Sequence, residues 1–199
     1  AGFPDMDSFW THLERIDAAG ADIIEIGVPF SDPVADGPVI EDASRDALAR
    51  GVSLKWILDG LKARKGQFSA KLALMGYVNP FYQYGLENLA RDAAEAGVYG
   101  FIVPDMPLEE SGMFRKVFAP YGLTLVTLVA PNTSVERMKE YKPCTEGFVY
   151  VVSVLGTTGG KTDLEQSVAE TMRRARSVFD VPLALGFGLQ TPDQLEALP

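Results

Sequence analysis

Short apolar runs alternate with longer amphipathic stretches along the chain. The runs span residues 22–28, 71–77, 100–104, 123–129, 147–153 and 181–188. Each is mostly continuous rather than alternating, which suits strands covered on both faces. Between them, apolar positions recur at helical spacing over residues 7–19, 39–50, 53–65, 86–96, 109–119, 134–141 and 164–178. A last helix is predicted to begin at Pro192, with Thr191 as its N-cap.

Strand–helix alternation at a repeat of roughly 25 to 30 residues predicts a parallel α/β sheet. Six strands are visible, and the pattern opens on a loop and a helix and closes inside a helix. One strand ahead and one behind would make eight. The expected fold is therefore a (β/α)8 TIM barrel lacking its first and last strands, since a complete barrel takes about 250 residues. No linker or shift in composition divides the 199 residues, so a single domain over 1–199 is expected. An open doubly wound sheet is the structural alternative, and the motifs that would favour it are incomplete. Gly186-Phe187-Gly188-Leu189-Gln190-Thr191 lacks the third glycine of a dinucleotide fingerprint. Gly160-Lys161-Thr162 resembles the end of a P-loop, but Leu155 stands where that loop needs glycine.

Composition narrows the function. A hydrophobic fraction of 47% supports one sizeable core. Eighteen Lys and Arg against 27 Asp and Glu give a net charge of −9, which disfavours nucleic acid and anionic membranes as partners. A phosphorylated ligand would have to be held locally, by backbone N–H groups or a helix N-terminus. The single cysteine, Cys144, excludes a disulfide framework or a Cys-based metal site. Without a signal-peptide pattern or a run of about 18 apolar residues, a cytoplasmic protein is expected.

The segment from Ile23 to Pro38 carries the densest chemistry. Alternation puts Ile23, Glu25 and Gly27 on one face of the strand and Ile24 and Ile26 on the other. The branched pair suits packing against helices, so Glu25 should point into the barrel, partly desolvated. Its place near the C-terminal end of a strand is where barrel enzymes keep their sites. A satisfied buried ion pair is the alternative. The next loop holds Asp32 and Asp36, stiffened by prolines. Such acids are ordinary turn residues, yet two carboxylates in different environments can also divide acid and base roles. Farther on, residues 147–161 run from a strand into glycines and threonines. That loop reads equally as an anion-binding lid or as a flexible connection. In Leu185-Gly186-Phe187-Gly188, glycine at a strand end allows close backbone approach to a ligand.

The fourteen residues Glu25-Ile26-Gly27-Val28-Pro29-Phe30-Ser31-Asp32-Pro33-Val34-Ala35-Asp36-Gly37-Pro38 resemble the signature of the tryptophan synthase α subunit family. Ala1-Gly2-Phe3-Pro4-Asp5 is similar to that family's end of strand one. Leu74-Met75-Gly76-Tyr77-Val78-Asn79-Pro80, the segment from Val103 to Ser111 and residues 147–160 follow in the family's order, so the likeness covers essentially the whole chain. The resemblance implies cleavage of indole-3-glycerol phosphate to indole and glyceraldehyde 3-phosphate, without a cofactor. Glu25 would be the acid–base group, Asp36 would accept from the indole N–H, and Tyr150 would lie near the substrate. Thr158 would sit on the closing loop, bonded to Asp36. Gly159 and Gly188 would offer N–H groups to the phosphate. Met75, Ile102, Leu128 and Phe187 would line the indole pocket.

The resemblance also implies a β subunit carrying pyridoxal phosphate as partner, in an α2β2 heterotetramer, faced by the loops of Pro29, Asp32 and Asn79. The family's last strand, with its Gly-Ser phosphate motif, is absent from this sequence. A free-standing lyase and a non-catalytic β-subunit-binding partner are the competing readings. His12, the only histidine, is expected on a helix surface, and Trp10 and Trp56 in helix packing.

Overall fold

The computed structural model describes residues 1–152 and 161–186, with side chains described outside 161–166. Two compact units are resolved, Ala1–Leu125 and a second that begins at Val126.

The first unit starts with helix α1, Met6–Ala18, whose N-terminus is capped by Asp5 accepting from the amides of Asp7 and Ser8. Strand β1, Ile23–Gly27, follows, then helices α2, Pro38–Ala49, and α3, Leu54–Ala63. Ser53 caps α3 by accepting from the Trp56 amide. Strand β2, Lys71–Met75, leads to helices α4, Val78–Tyr84, and α5, Leu86–Ala96. Strand β3, Val98–Ile102, helix α6, Leu108–Phe118, and strand β4, Thr124–Leu125, complete it. The strands lie in the order β1-β2-β3-β4, and all pairs are parallel. At the far end of α1, Asp17 accepts from the amides of Ser69 and Ala70, at 2.9 and 2.7 Å, and so fixes where β2 begins.

The core of this unit lies between sheet and helices. Ile24, Ile26, Leu72, Leu74 and Phe101 enter it from the strands, and Leu13, Ile57, Leu61, Leu89 and Phe114 from the helices. Phe101 stacks on Phe118 at 4.6 Å and meets Phe81 edge-on at 5.2 Å. Burying each such ring contributes about 1.5–3 kcal/mol. Trp10 is buried, 5.1 Å from the partly buried Trp56, with the Arg64 guanidinium 4.2 Å over its ring, so both tryptophans are packing residues as expected. His12 is exposed on α1.

The second unit contains strand β5, Thr127–Val129, helix α7, Val135–Tyr141, strand β6, Val149–Val152, helix α8, Lys161–Arg176, and strand β7, Leu183–Gly186. Its strands are parallel in the order β5-β6-β7. Val129, Val149 and Val151 bury against Met138, Val168, Met172 and Ala175. Arg174 donates to the carbonyls of Thr133 and Pro131, at 3.0 and 2.7 Å, which holds the turn before α7 against α8. The Cys144 thiol donates to the Tyr141 carbonyl at 3.1 Å.

Two expectations need correction. The apolar run 123–129 is two strands, not one. Its first half pairs with β3 and its second with β6, and the buried Val126 between them belongs to neither. Helix α4 was not expected at all. Pro80 sits in its first turn, where a proline costs no hydrogen bond. Its first amide, on Val78, is capped at 3.0 Å by Asp105, which lies 27 residues farther along the chain.

Candidate active site

The two faces of β1 are chemically distinct. Ile24 and Ile26 are buried against helices, and Glu25 and Gly27 face the other way. In register, Glu25 pairs with Ala73, and Gly27 with Met75. Across the next ladder Ala73 pairs with Gly100, and Met75 with Ile102. Glu25, Ala73, Met75, Gly100 and Ile102 therefore share the face away from the helices, toward the C-terminal ends of three parallel strands. Ala73 and Ile102 are fully buried there, and Met75 is half-buried. Glu25 is exposed. The desolvation expected for Glu25 from the strand pattern is thus not found in this structure.

The desolvated carboxyl is Asp36. It is half-buried, and burial pushes its pKa above the ordinary carboxylate value. A hydrogen bond from Tyr77 acts in the opposite sense, and the charge of Glu41 adds to the upward shift. Asp36 leaves the solvent because its loop folds back onto the buried Tyr77, just past the end of β2. Tyr77 also accepts from the Ala35 amide at 3.0 Å, and its ring lies 5.5 Å from that of Phe30. The sequence placed Tyr77 at the end of a strand and gave it no role. The available signal was its position beside Gly76 at a C-terminal strand end, where barrel sites form.

Of the residues expected to face a partner, Asp32 and Asn79 are exposed and Pro29 is buried. The Asp32 carboxylate is bound by the Ser31 hydroxyl.

In the second unit, Leu128 pairs with Tyr150, and Tyr150 with Ala184. These side chains point away from the valines of β5 and β6 that face the helices. Tyr150 is buried and lies over Gly186, where a Cβ would overlap the phenol ring and hydroxyl. Glycine is thus the residue that lets β7 approach Tyr150. Thr158, Gly159, Phe187 and Gly188, like the helix expected from Pro192, lie outside the described residues. Among the described residues, no group of three or more His, Cys, Asp or Glu could hold a metal ion.

Parallel strands alternating with helices, with carboxylates at and just beyond strand ends, define an α/β enzyme of the (β/α)8-barrel class. The family model described as tryptophan synthase alpha chain matches residues 1–199. The chain belongs to the tryptophan synthase alpha chain family, a family of carbon–carbon lyases. It is 62% identical to the tryptophan synthase alpha chain of Desulfovibrio desulfuricans, over 100% of this chain and 78% of the relative. Against the Nitratidesulfovibrio vulgaris protein the identity is 58%, over 100% of this chain and 77% of that one. A solved structure of tryptophan synthase subunit alpha from Campylobacter jejuni superposes with a TM-score of 0.87 at 34% identity, covering 98% of this chain and 78% of that one. A structure of the tryptophan synthase α2β2 complex of Pyrococcus furiosus gives a TM-score of 0.88 at 36% identity, covering 99% and 79%.

Proposed function

We propose that this chain is the α subunit that cleaves indole-3-glycerol phosphate to indole and glyceraldehyde 3-phosphate. The observation that carries the reading is a pair of carboxylates in unlike environments: Glu25 on the open face of β1 and the half-buried Asp36 on the next loop. In the reaction the bond between indole C3 and the glycerol chain breaks. Glu25 delivers a proton to C3 and then accepts the proton of the neighbouring glycerol hydroxyl as the aldehyde forms, so no net proton is consumed. Protonation of C3 places positive charge on the indole nitrogen. Asp36, accepting from that N–H, stabilises the charge. A carboxylate short of water interacts more strongly with a developing cation than a fully hydrated one.

The family resemblance assigns Met75, Ile102, Leu128, Tyr150 and Phe187 roles toward the indole ring. It assigns further roles to Thr158, toward Asp36, and to Gly159 and Gly188, toward the phosphate. The chemistry asks for no cofactor in this chain. Indole passes to a β subunit that carries pyridoxal phosphate, in an α2β2 assembly that the loops of Pro29, Asp32 and Asn79 face. The whole chain serves as one domain of a cytoplasmic protein. No helix among the described residues is long and apolar enough to cross a membrane.

The test is indole formation from indole-3-glycerol phosphate by the full-length chain, with and without excess β subunit. Indole and glyceraldehyde 3-phosphate in equal amounts, formed faster with β subunit, are expected. Equal rates in both conditions identify a free-standing lyase. A folded sample that forms no indole in either condition overturns the lyase reading and leaves a β-subunit-binding partner.

A further inference from the structure

Among the described residues, Tyr77 fastens the acid loop after β1 from outside. Tyr77 has only 4% of its surface exposed and stands between the end of β2 and the start of α4. Its hydroxyl accepts from the Ala35 amide at 3.0 Å, which brings it beside the Asp36 carboxylate, an acceptor that its own proton can serve. Its ring lies 5.5 Å from Phe30, at the start of the same loop. One side chain thus meets residues 30, 35 and 36, while Val34 between them is 82% exposed and lends the loop no packing.

We infer that Tyr77 is a positioning residue for the reaction, its hydroxyl fixing the Asp36 carboxylate where the indole N–H must meet it. This rests on the role proposed above for Asp36. Burial pushes the Tyr77 hydroxyl up to about 12, so it remains a proton donor across the working pH range. The charged groups facing the pair are Glu41 of α2, toward Asp36, and Asp105 of the loop after β3, toward Tyr77. All are acidic, so the hydroxyl is the uncharged donor that keeps an anion in acidic company. A carboxylate displaced by even 1 Å loses much of its catalytic worth.

The test replaces Tyr77→Phe in the full-length chain and measures indole formation with β subunit present. The ring and its contact with Phe30 remain, and only the hydroxyl is removed. A fall in kcat of roughly tenfold to a hundredfold is expected, the usual cost of losing a hydrogen bond to a charged group. KM should stay within about twofold, as for a group that acts in the transition state. In an Asp36→Asn background the same change should cost less than about twofold, because the carboxylate it positions is gone. Unchanged kcat in the single variant, or an equal loss in both backgrounds, overturns the inference. So does a lower rate fully explained by a lower folded fraction in thermal melts. A wild-type chain that forms no indole overturns the function itself, whereas an active wild type beside a fully active Tyr77→Phe overturns only the role of Tyr77.

Discussion

Asp36 stands on a loop whose neighbours Ala35 and Gly37 are exposed, and Tyr150 stands within β6, flanked by β5 and β7. No regular backbone ladder orders Asp36. Its place comes from a distant hydroxyl, with a proline-stiffened chain on either side. Tyr150 is placed by two parallel ladders and by the space above Gly186. The first arrangement is sensitive to removing a hydrogen bond and tolerates added bulk at the open loop. The second is sensitive to a single added carbon at Gly186. The two placements therefore fail in distinguishable ways, one read in rate and the other first in stability.

The largest effect expected within this comparison is from Asp36→Asn. It keeps the size of the side chain and an acceptor for Tyr77, but removes the charge proposed to face the indole nitrogen. Steady-state indole formation with β subunit should fall by about 10²–10³-fold in kcat, the usual worth of one preorganised electrostatic group. A loss smaller than about tenfold would remove Asp36 from the chemistry.

Gly186→Ala comes next. Its Cβ would overlap Tyr150, so the phenol or the β6–β7 ladder must shift. Overpacking of this kind costs about 1–3 kcal/mol, which urea unfolding should record as a lower midpoint. An unchanged midpoint would show that Tyr150 is free to move aside, and the contrast between the two supports would collapse.

The pH profile gives a smaller effect with a definite sign. Asp36 must be ionised to stabilise a cation, and burial raises its pKa, with Glu41 adding to the rise and Tyr77 opposing it. The acid limb of kcat/KM should therefore lie above the ordinary aspartate value of about 3.9. Glu41→Gln removes a nearby negative charge, so the limb should move to lower pH. Tyr77→Phe removes a bond to the ionised form, so the limb should move to higher pH. Movement of both variants in one direction would contradict the charge arrangement.

The smallest effect is a control outside both regions. Lys55 and Asp59 on α3 pair at 2.9 Å, with side chains 70% and 62% exposed. Lys55→Ala should change unfolding free energy by less than about 0.5 kcal/mol and leave the rate alone.

Much of this framework is legible in the sequence. Alternation along β1 separated Ile24 and Ile26 from Glu25, and the structure buries the first two and turns the third away. Helix α5 fell at the expected residues because Gly85 and Gly97 punctuate both its ends. The unreadable parts share a cause, which is dependence on residues far along the chain. Helix α4 starts where Asp105 caps it, and nothing local announces that cap. The run 123–129 divides because its neighbours change from β3 to β6. Tyr77 was overlooked because its partners lie 42 residues earlier at Ala35, and beside it at Asp36. The same folding-back makes Asp36 the desolvated acid, while the open face of β1 leaves Glu25 exposed. Residue alternation gives the direction of a side chain but not what covers it.

The central claim is that Glu25 moves the proton on which carbon–carbon cleavage depends. Glu25→Gln in the full-length chain, assayed for indole release at saturating indole-3-glycerol phosphate with β subunit present, tests it most directly. The account predicts a folded protein whose kcat is lower by about 10²–10⁴-fold, the range for loss of a general acid–base group. A folded Glu25→Gln protein that releases indole within about tenfold of the wild-type rate would contradict it.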